Sequence, residues 1–211
     1  KDKLVFIIDH NMPADNPKTA AAHKKMRDFA REHGIAFYEG KGVCHQIMME
    51  EYVRSGELIF GADSHTCTYG ALGAFGTGVG NTDFLYAMVT GKSWVLVPPT
   101  LRFHLTGKFR EGVYPRDLIL TIIGDIGADG ATYKVMEFTG EGAKAMNINE
   151  RMVLANMAVE AGAKTGIFEP DEAALEYLEN HGRKPKYLFK SDPDAVFEKE
   201  YHYDLSKIEP V

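Results

Sequence analysis

Short apolar runs alternate with longer stretches of helical spacing along this chain. Leu4 to Ile8 is the first run, and its unbroken apolar character predicts a strand buried on both faces. Asn16-Pro17 predicts a helix start, because an Asn side chain can cap free amides and proline suits the first helical position. Helical spacing runs on to about His33, where Gly34 predicts the stop. Ile35 to Tyr38 predicts a second strand, Ile47 to Val53 a short helix, and Leu58 to Phe60 a third strand. Asn81 to Gly91 predicts a helix and Trp94 to Val97 a further strand. After Pro98-Pro99 the texture changes. A strand from Leu101 to Leu105, a helix from Pro115 to about Asp125, an amphipathic helix from Asn149 to Gly162 and a helix from Asp171 to Asn180 are predicted there. Strands alternating with helices predict an α/β protein of layered α/β/α domains with mostly parallel sheets. The proline pair predicts a boundary between a first domain, 1–98, and a second, 99–211.

Composition narrows the class. With 45% hydrophobic and 26% charged residues in 211, the chain has enough apolar surface to offset the entropy of ordering. A net charge of −6 argues against a broad nucleic-acid-binding face. No apolar run reaches the ~18 residues a membrane span requires, and none has the layout of a signal peptide. Two cysteines, Cys44 and Cys67, cannot build a disulfide framework, so a reducing cytoplasmic location is expected. The chain begins at Lys1 rather than Met and enters an apolar run almost at once, so a piece of a longer protein is expected.

Three polar groups sit after apolar strands or between elements: Asp9-His10, Cys44-His45 and Asp63-Ser64-His65. Ligands of open α/β sheets bind beyond the carboxyl ends of the strands. Three histidine-bearing loops at equivalent ends would converge on one site. Each group also has a plain architectural reading. Asp9-His10 can cap a turn, and His45 can be a hydrogen-bonded structural histidine. Asp63-Ser64-His65 holds the three residue types of a catalytic triad, but consecutive side chains cannot line up end to end as that relay needs. Zinc held by Cys44, His45, His65 and Cys67 is a further reading, weakened because adjacent residues on an extended backbone point to opposite faces. Gly70, Gly73, Gly76, Gly78 and Gly80 match neither a phosphate loop nor a dinucleotide fingerprint, and close backbone packing is their plainer reading. Asn156 and Glu160, four apart, share one face of a largely apolar helix, which implies burial with partners.

Together, Gly61-Ala62-Asp63-Ser64-His65-Thr66 and the glycine-rich run to Gly80-Asn81-Thr82-Asp83 resemble the aconitase superfamily. Asp9-His10, Gly42-Val43-Cys44-His45-Gln46, Gly130-Ala131-Thr132-Tyr133, Asn156-Met157-Ala158-Val159-Glu160 and Lys164-Thr165-Gly166 fit the same pattern, in order along the chain. Cys67-Thr68 and Ala74-Phe75 give it the character of the branch that includes the large subunits of 3-isopropylmalate dehydratase and homoaconitase. The resemblance implies dehydration and rehydration of a 2-hydroxy di- or tricarboxylate, foremost 2-isopropylmalate to 3-isopropylmalate in leucine biosynthesis. A homoaconitase-type large subunit and a non-catalytic α/β binding module are the alternatives. A 4Fe-4S cluster acts as Lewis acid in the family. By resemblance, Asp9 and His10 assist departure of hydroxide, and His45 and Asp63 form a second such pair near water on the iron. Asp63, Ser64 and His65 contact substrate, His65 being also a catalytic residue bonded to iron-bound water or substrate, and Asn156 and Glu160 stand around the cluster.

The family holds its cluster with three cysteines, in a Ser-Cys-Thr-Asn segment and a Cys-x-x-Cys segment. Neither occurs in this chain, so Cys44 and Cys67 are not assigned to iron and no metal ligand is expected here. The resemblance also implies a small-subunit partner, a swivelling domain that supplies a serine base. No nucleic acid or membrane partner is expected.

Overall fold

The computed structural model describes residues 3–211. Lys1 and Asp2, where the expected first domain begins, lie outside the described residues. The chain divides into two compact units, Lys1–Tyr52 and Val53–Val211.

The first unit comprises strand β1 (Val5–Ile8), helix α1 (Pro17–His33), strand β2 (Ala36–Glu39) and helix α2 (Cys44–Glu51). β1 and β2 pair in parallel, with Val5 opposite Ala36 and Ile8 opposite Glu39. The ends of α1 follow from local chemistry, as expected. The Asn16 side chain accepts the Thr19 N–H at 2.9 Å, Pro17 opens the helix, and Gly34 closes it at φ 64°. Arg27 forks onto both oxygens of Glu39, at 2.9 and 2.7 Å, and ties α1 to β2. β1 is less buried than its sequence predicts: only Ile8 is buried, and Val5, Phe6 and Ile7 are half-covered. A two-stranded sheet offers too little surface to shield both faces. α2 begins three residues before its expected start, so Cys44 and His45 lie in a helical first turn and not on extended backbone.

The second unit opens with strand β3 (Leu58–Gly61), a 3₁₀ helix (Ser64–Leu72), strand β4 (Phe75–Gly78) and helix α3 (Asn81–Thr90). It continues with β5 (Thr100–Thr106), α4 (Pro115–Ile126), β6 (Val135–Thr139), α5 (Gly140–Ala145), α6 (Ile148–Met157), β7 (Thr165–Phe168), α7 (Glu172–Asn180) and β8 (Lys199–Asp204). β3 pairs with β4, and the other four strands form a sheet in the order β7-β6-β5-β8. Every strand pair among the described residues is parallel, in keeping with the expected α/β class. β5 alternates strictly: Leu101, Phe103 and Leu105 face the core, where they join Leu118, Ile119 and Ile122 of α4 and Leu154 of α6. Its other face carries Arg102 and His104, beside Glu137 of β6 and Glu200 and His202 of β8.

The division falls at Tyr52/Val53 rather than at Pro98-Pro99, and long-range packing explains why. The 3₁₀ helix lies on α6 and β7: the Cys67 thiol donates to the Asn156 carbonyl at 3.3 Å. Gly70 meets the Gly166 carbonyl so closely that a Cβ has no room. Arg183 donates to the Val53 carbonyl, and the amides of Lys186 and Tyr187 bond to Ser55, at 3.0 and 3.2 Å. The segment between β3 and β4 therefore packs as one with the C-terminal half, and close packing of its glycines is what the structure contains.

Trp94 to Val97 is not a strand. Trp94, Leu96 and Val97 are 80%, 65% and 86% exposed in irregular backbone. Apolar, β-favouring side chains form a strand only against a partner, and this segment pairs with none among the described residues. The helix expected from Asn149 to Gly162 is α6, started by a reciprocal Asn147–Glu150 cap, followed by a 3₁₀ turn (Ala158–Ala161) that Gly162 ends at φ 83°.

Candidate functional site

In the second unit, β3 delivers the chain to Asp63, whose carboxylate accepts the His65 N–H at 2.7 Å and starts the 3₁₀ helix. That helix runs for nine residues, where 3₁₀ pieces seldom exceed three or four. The hydroxyls of Thr66 and Thr68 donate to the carbonyls of Asp63 and His65, each at 2.7 Å, and reinforce it. Its first turn presents His65. The Nδ1 atom lies 3.2 Å from Ser64 Oγ and 3.7 Å from Asp63 Oδ1, and Nε2 lies 3.2 Å from Glu160 Oε1. The His65 and Glu160 side chains are 36% and 45% exposed, so a ligand can reach the pair.

Glu160 stands on the 3₁₀ turn after α6, while Asn156 is in the last full turn of α6. Both still face the 3₁₀ helix, as their i,i+4 spacing implies. Asn156 Nδ2 donates to Thr68 Oγ1 at 2.8 Å and anchors the 3₁₀ helix, whereas Glu160 meets His65. A cavity of about 310 Å³ is lined by Ser64, Thr77, Val79, Val159 and Lys164, among others. Ser64 and Val159 are the chain neighbours of His65 and Glu160, so the cavity adjoins the pair. The sequence reading missed both the direct His65–Glu160 contact and the place of Lys164 in this wall.

In the first unit, Asp9 holds a second arrangement. Its Oδ2 accepts the Cys44 N–H at 2.6 Å, and its Oδ1 lies 2.7 Å from His10 Nδ1. Val43 gives α2 no side-chain cap, so the Asp9 carboxylate serves an otherwise open helix amide. Burial raises the Asp9 carboxyl, but the Cys44 amide and the His10 ring outweigh it and hold the group below its ordinary range. His10 is largely exposed, and His45 follows Cys44 in the same helical turn. The expected site residues thus fall into two sets: Asp9, His10 and His45 in one unit, and Asp63, Ser64, His65, Asn156 and Glu160 in the other.

The cysteines do not fit the cluster that the resemblance implies. Cys44 and Cys67 are the chain's two cysteines, neither in a disulfide, against the three thiolates of the family pattern. Burial pushes the Cys67 thiol up to about 12, so it stays protonated at neutral pH. The same property removes Cys67 from a zinc set, which requires thiolate. Iodoacetamide at pH 7.5 should therefore label Cys44 and leave Cys67 untouched until denaturant is added. Native labelling of Cys67 at the rate of Cys44, read by peptide mass spectrometry, would contradict this picture.

Comparison with known proteins places this chain in a family. The chain is 52% identical over 212 residues to a probable 3-isopropylmalate dehydratase large subunit of Methanothermobacter thermautotrophicus, covering 99% of this chain and 51% of that protein. It is 47% identical over 214 residues to the 3-isopropylmalate dehydratase large subunit of a Hydrogenobaculum species, covering 100% of this chain and 50% of that protein. A probable methanogen homoaconitase large subunit of M. thermautotrophicus is 45% identical over 212 residues, covering 99% of this chain and 50% of that protein. The chain thus spans about half the length of the curated relatives it matches. The aconitase family (aconitate hydratase) pattern matches residues 3–211, and the chain belongs to the aconitase family.

Proposed function

We propose that this chain is part of the large subunit of an iron–sulfur hydro-lyase that converts 2-isopropylmalate to 3-isopropylmalate in leucine biosynthesis. The observation that carries the reading is the reachable His65–Glu160 pair beside a cavity, in a chain about half identical to dehydratase large subunits. Hydroxide is a poor leaving group, so its loss from carbon needs an acid at the departing oxygen and a base at the neighbouring C–H. In this reading His65 holds a proton at Nε2, shared with Glu160, and gives it to the departing hydroxyl. Ser64 Oγ hydrogen-bonds a substrate oxygen. Asp63 contacts substrate and fixes the backbone of His65, and His45 is a further residue that handles water. Asp9 orients His10, which assists hydroxide departure. Asn156 acts through Thr68, by holding the 3₁₀ helix in place.

Family members generally carry a 4Fe-4S cluster, which supplies a Lewis acid when bound. The two cysteines of this chain do not fit it, so its ligands are proposed to lie in parts of the protein beyond these 211 residues. A small subunit, the swivelling domain with the serine base, is the proposed partner. Two cysteines without a disulfide support a cytoplasmic location, and no helix among the described residues is long and apolar enough to cross a membrane.

The homoaconitase-like relative favours a second reading, in which homocitrate replaces isopropylmalate. A substrate panel separates them. The complete, cluster-reconstituted large subunit with its small subunit should turn over 2- and 3-isopropylmalate. Turnover of homocitrate alone would establish the second reading, and turnover of neither would overturn both in favour of a binding module.

A further inference from the structure

Two lysines sit side by side in the second unit and end differently. Lys134 pairs with Glu198 at 3.1 Å. Lys164, just before β7, has no carboxylate within ion-pair distance among the described residues. Its ammonium stands 5.1 Å from the centre of the Tyr133 ring. An aromatic face steadies a cation without neutralising it. Tyr133 adopts φ 58°, the left-handed region that a bulky residue rarely enters, and its N–H bonds to the Gly162 carbonyl at 3.1 Å. Local strain is thus accepted in a residue that supports an uncompensated charge.

Lys164 also lines the cavity beside His65 and Glu160, and it is the one charged residue in that lining. The rest of the wall is hydroxyl (Ser64, Thr77), apolar (Val79, Val159, Ala163) or without a side chain (Gly78, Gly162). At about 310 Å³ the cavity reaches the size of small-molecule sites, roughly 300–1,000 Å³. Half-buried Lys164, with no protein carboxylate within ion-pair distance among the described residues, shares this wall with hydroxyls and valines, which suits a small branched molecule with a carboxylate. We propose that Lys164 binds a carboxylate of the substrate, with the branched alkyl group against Val79 and Val159. This rests on the hydro-lyase reading above and names a substrate-binding residue within it.

The test uses the complete two-subunit enzyme, with affinity for 3-isopropylmalate read by calorimetry and KM and kcat read by turnover. Lys164→Met should weaken Kd and raise KM by roughly 10- to 100-fold, the scale of a hydrogen bond to a charged group. It should change kcat by no more than about threefold, because the contact is as strong in the ground state as in the transition state. Lys164→Arg should recover most of the affinity. Lys164→Gln, of similar polarity, stands in if the methionine variant fails to fold, and should match its loss. Lys134→Met, which deletes the neighbouring paired charge, should leave Kd within about threefold. Wild-type affinity in Lys164→Gln or Lys164→Met overturns the proposal. So does a loss in Lys134→Met as large as that in Lys164→Met, which would reduce the effect to net charge. If the wild type binds homocitrate in place of isopropylmalate and Lys164→Met loses that affinity, the isopropylmalate reading falls and the role of Lys164 stands. If it binds neither, both fall.

Discussion

His65→Ala in the complete protein, under the proposed hydro-lyase reading, is expected to lower kcat by about 10²- to 10⁴-fold, the usual contribution of a positioned acid–base group. The fold should barely respond. Asp63 bonds the His65 backbone N–H, so the cap of the 3₁₀ helix survives the substitution. The Thr68 hydroxyl likewise bonds the His65 carbonyl. The imidazole itself is 36% exposed, so its loss leaves no closed cavity. Steady-state kinetics beside a thermal melt check both halves of this expectation. A drop of only a few-fold in kcat, or a large fall in melting temperature, would make His65 an architectural residue.

The second large effect is on stability. Arg151 is 1% exposed, and its guanidinium forks onto both oxygens of Asp171, at 2.8 and 2.7 Å. It also donates to the carbonyls of Met146 and Lys144, at 3.1 and 3.3 Å. One side chain thus ties the start of α6 to the Asp171 cap of α7. Arg151→Ala removes the cation and leaves Asp171 partly buried, which should cost about 3–5 kcal/mol in a denaturant titration. Lysine should not restore it, since an ammonium cannot reproduce the fork. A loss below about 1 kcal/mol would show that the bridge is dispensable. Burial raises the Asp171 carboxyl, but the bonds and charge of Arg151 outweigh it and hold the group below its ordinary value of 3.8. The native state therefore favours the ionised form. The resulting stability is fully present above that ordinary value and is lost as pH falls from 3.8 toward the depressed native one. The alanine variant should lose that part of the acid dependence.

What the sequence revealed was local. Asn16, Pro17 and Gly34 bound α1 because caps are chemistry between near neighbours, and the alternation of β5 marks its buried face directly. Trp94 to Val97 misled, because a strand is defined by its partner, which periodicity cannot supply. The division at Tyr52/Val53 depends on Cys67 and Gly70 meeting Asn156 and Gly166, contacts across about half the chain. For the candidate site, residue types and their order named Asp63, Ser64, His65, Asn156 and Glu160, all of which fall in the second unit. Their partnerships did not emerge, because His65 and Glu160 are 95 residues apart and meet only once α6 ends in a 3₁₀ turn. Asn156, four residues before Glu160 on the same side, meets Thr68 where Glu160 meets His65, so the two serve different purposes on one face of the 3₁₀ helix.

Whether His65 and Glu160 act as one proton-handling unit is settled most directly by a double-mutant cycle on kcat/KM in the complete enzyme, with His65→Ala, Glu160→Gln and the two combined. Residues that act as a unit are strongly non-additive. The double variant should be scarcely slower than His65→Ala alone, with a coupling energy above about 1 kcal/mol. Independent, additive losses with a coupling near zero would contradict the pairing and reduce the 3.2 Å contact to a surface hydrogen bond without a catalytic role.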